Sequence, residues 1–293
     1  MACRSEIVKG SPSTLVWWCE GEIVVVDPGH GRKRAKQLLR KLREPGGRIV
    51  FLVTHYHSDH LNALGQGLLD SLGSKAVVAA PRLDAPGIRD PLVRVAMTFG
   101  YPLPAGSPLL SFEPLPSRVD VELDPPVGLG GLEVVPLPGH TPGQVGVVTS
   151  DGVLYAADAI FGSRVLERYA VPYHLDPCRA LESLDTLERY AREGYTVQPS
   201  HGPSARGEEA LSMVEANRSA IKGLLERVEN CLETPRTLDS LARCAVPGEP
   251  PGAPGLALLV QTAVRGALAC LHARGRVSAR PVGPGLVEWA LQG

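Results

Sequence analysis

The sequence predicts an α/β fold whose strands end, one after another, on metal-ligand side chains. Two observations carry this prediction. Apolar runs of strand length alternate with amphipathic stretches of helical period between residues 14 and 80. Four such runs are also followed at once by ligand-type residues: His55, His57, Asp59 and His60 after the first, then His140, Asp158 and His201. A buried strand is a rigid support, so ligands at strand ends with Gly or Pro nearby converge on one edge of a stacked-sheet core.

Size and composition bound the rest. The chain has 293 residues, 44% of them hydrophobic, room for one large domain or one with a small appendage. A net charge of −1 gives no global field for nucleic acid or an anionic membrane. Cys3, Cys19, Cys178, Cys231, Cys244 and Cys270 are scattered, with no Cys-x-x-Cys pair. They read as buried thiols of a reducing compartment, not as a disulfide framework or a thiolate zinc site. The stretch Met1 to Glu6 lacks the apolar core of a signal peptide. No apolar run approaches the roughly 20 residues that span a bilayer. A cytoplasmic protein without a membrane partner is expected.

In chain order, residues 14–18 and 22–26 read as a hairpin around Cys19-Glu20-Gly21. The second strand ends at Asp27-Pro28-Gly29-His30, where Asp27 suits either a turn or the orientation of a metal ligand. Residues 32–43 form an amphipathic helix stopped by Pro45-Gly46-Gly47. The buried strand 48–53 leads into Thr54-His55-Tyr56-His57-Ser58-Asp59-His60, then a helix from about Asn62 to Leu72 and a strand at 75–80. Residues 81–118 are rich in Pro and Gly, with a helix near Asp90 to Phe99, and border the pocket. Strands follow at 132–137, 144–149 and 153–156, a helix at 178–192 and a last strand at 196–199.

Three His and one Asp within six residues, in a chain with eight His, are hard to explain by packing. Imidazole and carboxylate together suit zinc or another first-row metal, not magnesium or calcium. His174, with Tyr173 before it, reads as a helix-start or packing residue that could also serve substrate binding. His30 and His272 read as structural.

On five segments the sequence resembles the metallo-β-lactamase superfamily: Asp27 in Val-Asp-Pro-Gly, residues 54–60, Gly-His-Thr-Pro-Gly at 139–143, Ala-Asp-Ala at 157–159 and Ser-His-Gly-Pro at 200–203. They stand in order over about residues 5–205. The resemblance implies an αββα sandwich with a metal site at one edge of its two sheets. It assigns one metal to His55, His57 and His140 and a second to Asp59, His60 and His201. Asp158 would bridge them, and Asp27 would support a ligand from behind. Two zinc ions are expected, with iron or manganese as alternatives. A metal-bridging hydroxide would attack an ester, thioester or lactone-type substrate, and Asp59 would accept a proton as the catalytic residue. Leu61-Asn62-Ala63 stands where the glyoxalase II branch has Gly-Gly, which disfavours that substrate. His57 stands where flavodiiron relatives carry an acidic residue, which favours zinc. A mono-iron persulfide dioxygenase remains an alternative.

The chain divides into a catalytic domain at 1–205 and a C-terminal domain at 206–293. The latter reads as a long helix at 208–233, a short helix at 238–244, a Pro-rich loop at 249–255, a helix at 256–273 and a two-stranded wing at 276–290. This order looks like a winged helix and is similar to the tail of β-lactamase-like endoribonucleases, which makes RNA cleavage the runner-up function. The tail carries ten Arg or Lys against nine Asp or Glu, a poor footprint for nucleic acid. Arg265, Arg274, Arg276 and Arg280 form its local basic cluster. Packing on the pocket or homodimerisation is the plainer role.

Overall fold

The apolar runs become strands buried on both faces, and that double burial dictates layers. A computed structural model describes residues 3–42, 48–104, 106–169, 171–246, 248 and 254–292. The first sheet has six strands in chain order: β1 (Arg4–Val8), β2 (Thr14–Cys19), β3 (Glu22–Val26), β4 (Ile49–Leu52), β5 (Ala76–Pro81) and β6 (Val121–Leu123). β1 to β3 form an antiparallel meander, and β3 to β6 are parallel. The second sheet also keeps chain order: β7 (Val127–Leu129), β8 (Leu132–Pro136), β9 (Val145–Val148), β10 (Val153–Ala157) and β11 (Thr196–Pro199). A small third sheet holds β12 (Arg236–Thr237), β13 (Val277–Gly283) and β14 (Leu286–Leu291), with β14 in the middle.

Ten α-helical segments connect them: α1 (Arg32–Lys41), α2 (Ser58–Leu61), α3 (Leu69–Leu72), α4 (Ala85–Arg89), α5 (Pro91–Phe99), α6 (Ser163–Arg168), α7 (Pro177–Arg192), α8 (Glu208–Cys231), α9 (Leu238–Ala245) and α10 (Pro254–Ala273) among the described residues.

The period-2 alternation of the strands sorts side chains between layers. Trp17, Val24, Val26, Val50 and Leu52 face the second sheet and meet Leu132, Val134, Val145, Val147 and Tyr155. Val16, Val25 and Phe51 point the other way, onto Ala35 and Leu38 of α1. The outer face of the second sheet is covered by Leu184 and Leu187 of α7 and by Val214 and Ile221 of α8. The order is therefore helix, sheet, sheet, helix. Phe51 is fully buried, so Phe51→Ala would cost about 3–5 kcal/mol in lost transfer and cavity.

Local chemistry explains where several elements stop. Asp90 caps α5 by accepting the Leu92 and Val93 amides, Pro91 fills the first turn, and Gly100 ends it at φ +87°. The Pro45-Gly46-Gly47 stop expected after α1 lies outside the described residues. One expected element is corrected. The single helix expected from Asn62 to Leu72 is an irregular turn at Leu64–Leu68 followed by the short α3, with α2 ahead of it, because Gly67 takes φ +114°.

A further core gathers Leu224, Val228, Leu241, Val264, Leu268, Leu271 and Val277 from the C-terminal region with Val171, Cys178 and Leu181 from before it. Helix α8 serves two cores: Ala210, Val214 and Ile221 belong to the second sheet, and Leu224, Leu225 and Val228 belong to the C-terminal core. At its start α10 packs Leu258 and Leu259 on Val95, Phe99 and Leu103 beside α5. Residues 249–253 of the Pro-rich loop lie outside the described residues.

Two readings of composition are corrected. The cysteines are not separate thiols: they pair as Cys3–Cys19, Cys178–Cys270 and Cys231–Cys244, and none is free. Nothing in spacing reveals partners 16, 92 and 13 residues apart. The ground for a reducing compartment is thereby removed. The apolar-run reading also changes, because Gly255–Ala273 in α10 is long and apolar enough to cross a membrane. Its Ala263, Val264, Ala267, Leu268 and Leu271 are nonetheless buried in the C-terminal core.

Candidate metal centre

The centre lies where strands of both sheets end. β3 delivers Asp27 and β4 delivers the residue 55–60 loop, while the second sheet delivers His140 before β9, Asp158 after β10 and His201 after β11. Two of these exits are conformationally strained. Asp27 and Ala157 have φ of +51° and +49°, a region that costs a non-glycine residue about 1–3 kcal/mol. Such strain persists only where the surroundings over-determine it, and here it turns Asp27 and Asp158 into the site.

Asp27 is wholly buried. Its Oδ1 accepts the Thr54 amide at 2.9 Å. Its Oδ2 accepts the Thr54 hydroxyl at 2.8 Å and His60 Nδ1 at 2.9 Å, while the Tyr155 hydroxyl lies 3.2 Å away and gives its proton chiefly to the Ser13 carbonyl at 2.7 Å. Asp27 also groups geometrically with His55 and His60, but its Oδ2 already accepts from Thr54 and from His60 itself. It turns the chain and orients His60 at once, joining the two roles its sequence position suggested.

Hydrogen bonds to one ring nitrogen decide where the other points. Thr54 gives its only hydroxyl proton to Asp27, so it accepts from His55 Nδ1 at 3.0 Å and leaves the His55 Nε2 lone pair facing inward. His140 Nδ1 donates to the Tyr173 carbonyl at 2.8 Å, which leaves its Nε2 lone pair 2.8 Å from His57 Nδ1. His60 donates through Nδ1 and turns Nε2 toward Asp59 and Asp158 at 3.6 and 3.5 Å. Ser11 meets His201 Nδ1 at 2.7 Å, and His201 Nε2 lies 3.3 Å from Asp59 Oδ2.

Two triads result, each with ligand atoms within 4.8 Å of one another: His55, His57 and His140, and Asp59, His60 and His201. Asp158 Oδ2 stands between them, 3.4 Å from His140 Nε2 and 3.5 Å from both His60 Nε2 and His201 Nε2. All seven residues singled out as ligands in the sequence thus meet in one place.

The electrostatics divide along the same line. Burial holds His55, His57 and His140 below the ordinary imidazole range, so all three are neutral at pH 7. Burial also pushes His60 and His201 down, but Asp158 and Asp59 outweigh it and hold both above that range. Burial would raise Asp158 and Asp59, yet the facing imidazoles keep both ionised well below the carboxylate range.

The residues fit a metal pair on a direct observation. His55 Nε2, His60 Nε2 and Asp158 Oδ1 are buried without a hydrogen-bond partner, and His57 turns Nδ1 toward the inward Nε2 of His140. Each such orphan costs about 1–3 kcal/mol unless something fills the coordination. An all-imidazole triad and a mixed imidazole–carboxylate triad suit first-row metals.

His174 and Tyr173 sit at the back of the first triad. Tyr173 packs its ring on His57 and His140 and donates its hydroxyl to the Thr98 carbonyl at 3.1 Å. His174 is buried against His140 and Phe161 with both ring nitrogens unpartnered. It does not cap α7, whose cap is Asp176. His30 stacks on Phe112, and His272 bonds the Val277 carbonyl.

Sequence reasoning missed Ser11, Tyr155 and Arg94. Arg94 is buried in α5 and donates to the Gly87, Ile88 and Leu115 carbonyls and to Ser58 Oγ, pinning residues 87–115 to the start of α2. A cation inside an otherwise apolar helix was its only signal.

A family model described as the Metallo-beta-lactamase superfamily matches residues 8–201. Among solved structures, the chain is similar to a beta-lactamase domain protein from Burkholderia ambifaria, at 20% identity over 99% of this chain and 91% of that one, with a TM-score of 0.68. It is similar to an inverting sec-alkylsulfatase from Pseudomonas sp., at 16% identity over 89% of this chain, with a TM-score of 0.61. This chain spans 48% of that enzyme's length. A metallo-beta-lactamase from Pontibacter korlensis aligns at 19% identity over 75% of this chain and 99% of that one, with a TM-score of 0.51. At these identities the likenesses show the fold alone. Curated proteins contain no match.

Proposed function

Because this chain belongs to the metallo-beta-lactamase superfamily, a family of metal-dependent hydrolase fold, we propose that it is a dinuclear zinc hydrolase acting on an ester, thioester or lactone-type small molecule. The observation that carries this reading is Asp158 Oδ2, within 3.5 Å of ligand nitrogens from both triads and so placed to be shared. When bound, two such cations lower the pKa of water toward neutrality and polarise a substrate oxygen.

The chain's own groups do the rest. The Tyr173 carbonyl and Asp27 fix His140 and His60 in the tautomers that present Nε2. Asp59, part-exposed at the edge of the centre, turns Oδ2 toward His60 and His201 and is the group to take a proton from attacking water. The water oxygen adds to the carbonyl carbon, the C–O or C–S bond breaks, and the proton held by Asp59 passes to the leaving oxygen or sulfur. Tyr173 and His174 buttress His140 from behind, and Tyr173, the half-buried one of the two, is the candidate for substrate contact.

The C-terminal region, with helix, short strand, two helices and a hairpin in that order, is assigned as winged-helix-like. For RNA its cations are poorly placed. Arg276 bonds Glu229 at 2.7 Å and Arg280 bonds Glu288 at 3.2 Å, so two members of the basic cluster are neutralised. This favours the small-molecule reading over an endoribonuclease.

The test is elemental analysis of the purified protein beside His57→Ala, with a screen of esters, thioesters and lactones at two salt concentrations. About two zinc per chain, with the variant losing metal and turnover together, supports the proposal. Full metal and turnover in His57→Ala would remove that ligand from the assignment. One iron per chain with oxygen uptake would move the reading to a dioxygenase. RNA cleavage that weakens steeply with salt would move it to a nuclease.

A further inference from the structure

Asp84 lies outside the ligand set yet touches both loops that carry the first triad. It precedes α4 and is wholly buried. Oδ1 accepts the Tyr56 amide at 3.2 Å, and Tyr56 is the residue between the ligands His55 and His57. Oδ2 lies against the other loop, where a Cβ on Gly143 would come within 2.2 Å of it. Gly143 is thus required by space rather than by backbone conformation, and it stands three residues after the ligand His140. Thr141, next to that ligand, is also close. Neither its Oγ1 nor Asp84 Oδ2 has a partner of standard hydrogen-bond geometry. Burial nevertheless raises the carboxyl only to about 7, because Thr141 and the Tyr56 and Gly143 amides pull against it.

A buried carboxyl facing no cation costs free energy that an apolar residue of similar size would not. What it supplies is one oxygen bonded to the Tyr56 amide of the first loop and one packed against Gly143 of the second. His55 and His57 come from the first sheet and His140 from the second, so no single element holds the three together.

We propose that Asp84 is a positioning residue for the first metal triad: its carboxyl joins the His55–His57 loop to the His140 loop and sets their separation. The proposal rests on the metal-centre reading above. An Asn at this position keeps one acceptor and can hold only one loop, while Ala holds neither.

Zinc affinity of the first triad alone is read in a chain carrying His201→Ala, by competition with a chromophoric chelator, with Asp84, Asp84→Asn or Asp84→Ala. Affinity of the second triad is read likewise in a His57→Ala chain with and without Asp84→Asn. Thermal unfolding of each metal-free protein is followed in parallel. The expected result is a loss of about tenfold at the first triad for Asn and more for Ala, as for other groups behind metal ligands, with the second triad unchanged. Where Asp84→Ala does not fold, the near-isosteric Asn variant carries the test. A change below about twofold at the first triad overturns the proposal. So does an equal loss at both triads that tracks the loss of stability, which would mark Asp84 as merely structural. If the His201→Ala chain with Asp84 intact binds no zinc, the metal-centre reading falls, and the brace with it.

Discussion

Asp27→Asn perturbs the group on which the second triad depends, and its cost can be worked from the geometry. The carboxylate accepts one donor at Oδ1 and two at Oδ2, with the Tyr155 hydroxyl beside them. An amide has one oxygen. Its better orientation keeps that oxygen at the Oδ2 position and turns the NH2 toward the Thr54 amide, so two donors face each other in a fully buried place. At about 1–3 kcal/mol for each unsatisfied buried group, metal-free stability falls by about 2–6 kcal/mol. The bond to His60 survives in form but is no longer charge-assisted, and groups behind a metal-bound imidazole are typically worth about 10–100-fold in metal affinity. Zinc titration against a chelator, beside urea unfolding of the metal-free protein, reads both quantities. Affinity within twofold of wild type with unchanged unfolding would refute the view that Asp27 anchors His60.

Three more predictions follow the same logic. Asp84 has its carboxyl raised from an ordinary carboxylate value to about 7, so its contribution is fully favourable below pH 4 and is lost as pH rises through 7. Metal-free wild type should therefore lose about 4 kcal/mol over that window relative to Asp84→Asn, and parallel urea-stability curves for the two would refute the shift. Zinc entering the second triad must displace protons from His60 and His201, whereas His55, His57 and His140 are already neutral at pH 7. Calorimetry in buffers of differing ionisation enthalpy should show proton release mainly in one of two binding steps, and equal release in both would count against the division. Replacing Cys178 and Cys270 by Ser opens a link between residues 92 apart, for which chain entropy sets an upper cost of about 4–5 kcal/mol. A urea midpoint matching wild type under oxidising conditions would mean that the bond does not form.

Much of the architecture was legible because it rests on local rules. Val24–Val26 and Val50–Leu52 read as strands because both of their faces are buried, and the ligand loop reads from spacing alone. The helix expected near Asp90 to Phe99 is α5, Pro91–Phe99. What stayed hidden depends on contacts between distant parts of the chain. Ser11 meets His201 across 190 residues, and a lone Ser between Gly and Pro carries no sign of that. Asp84 stands in the Pro- and Gly-rich stretch 81–118, and nothing local says that it is buried. Cys178 and Cys270 have no spacing to betray them. Gly67 was visible, but a single glycine in an apolar helical pattern is tolerated often enough that its left-handed backbone could not be foreseen.

Each triad draws two ligands from the first sheet and one from the second, with His57 and His140 separated by 83 residues of chain. A bound cation therefore closes a long covalent circuit, as a disulfide does, but through bonds that a chelator or a falling pH can undo. Loss of metal unpins the two sheets at the edge where they are joined, next to an inter-sheet core that includes Trp17 and Tyr155. Limited proteolysis of this chain should therefore slow on loading with zinc and quicken with a chelator, and equal rates would count against the cross-link.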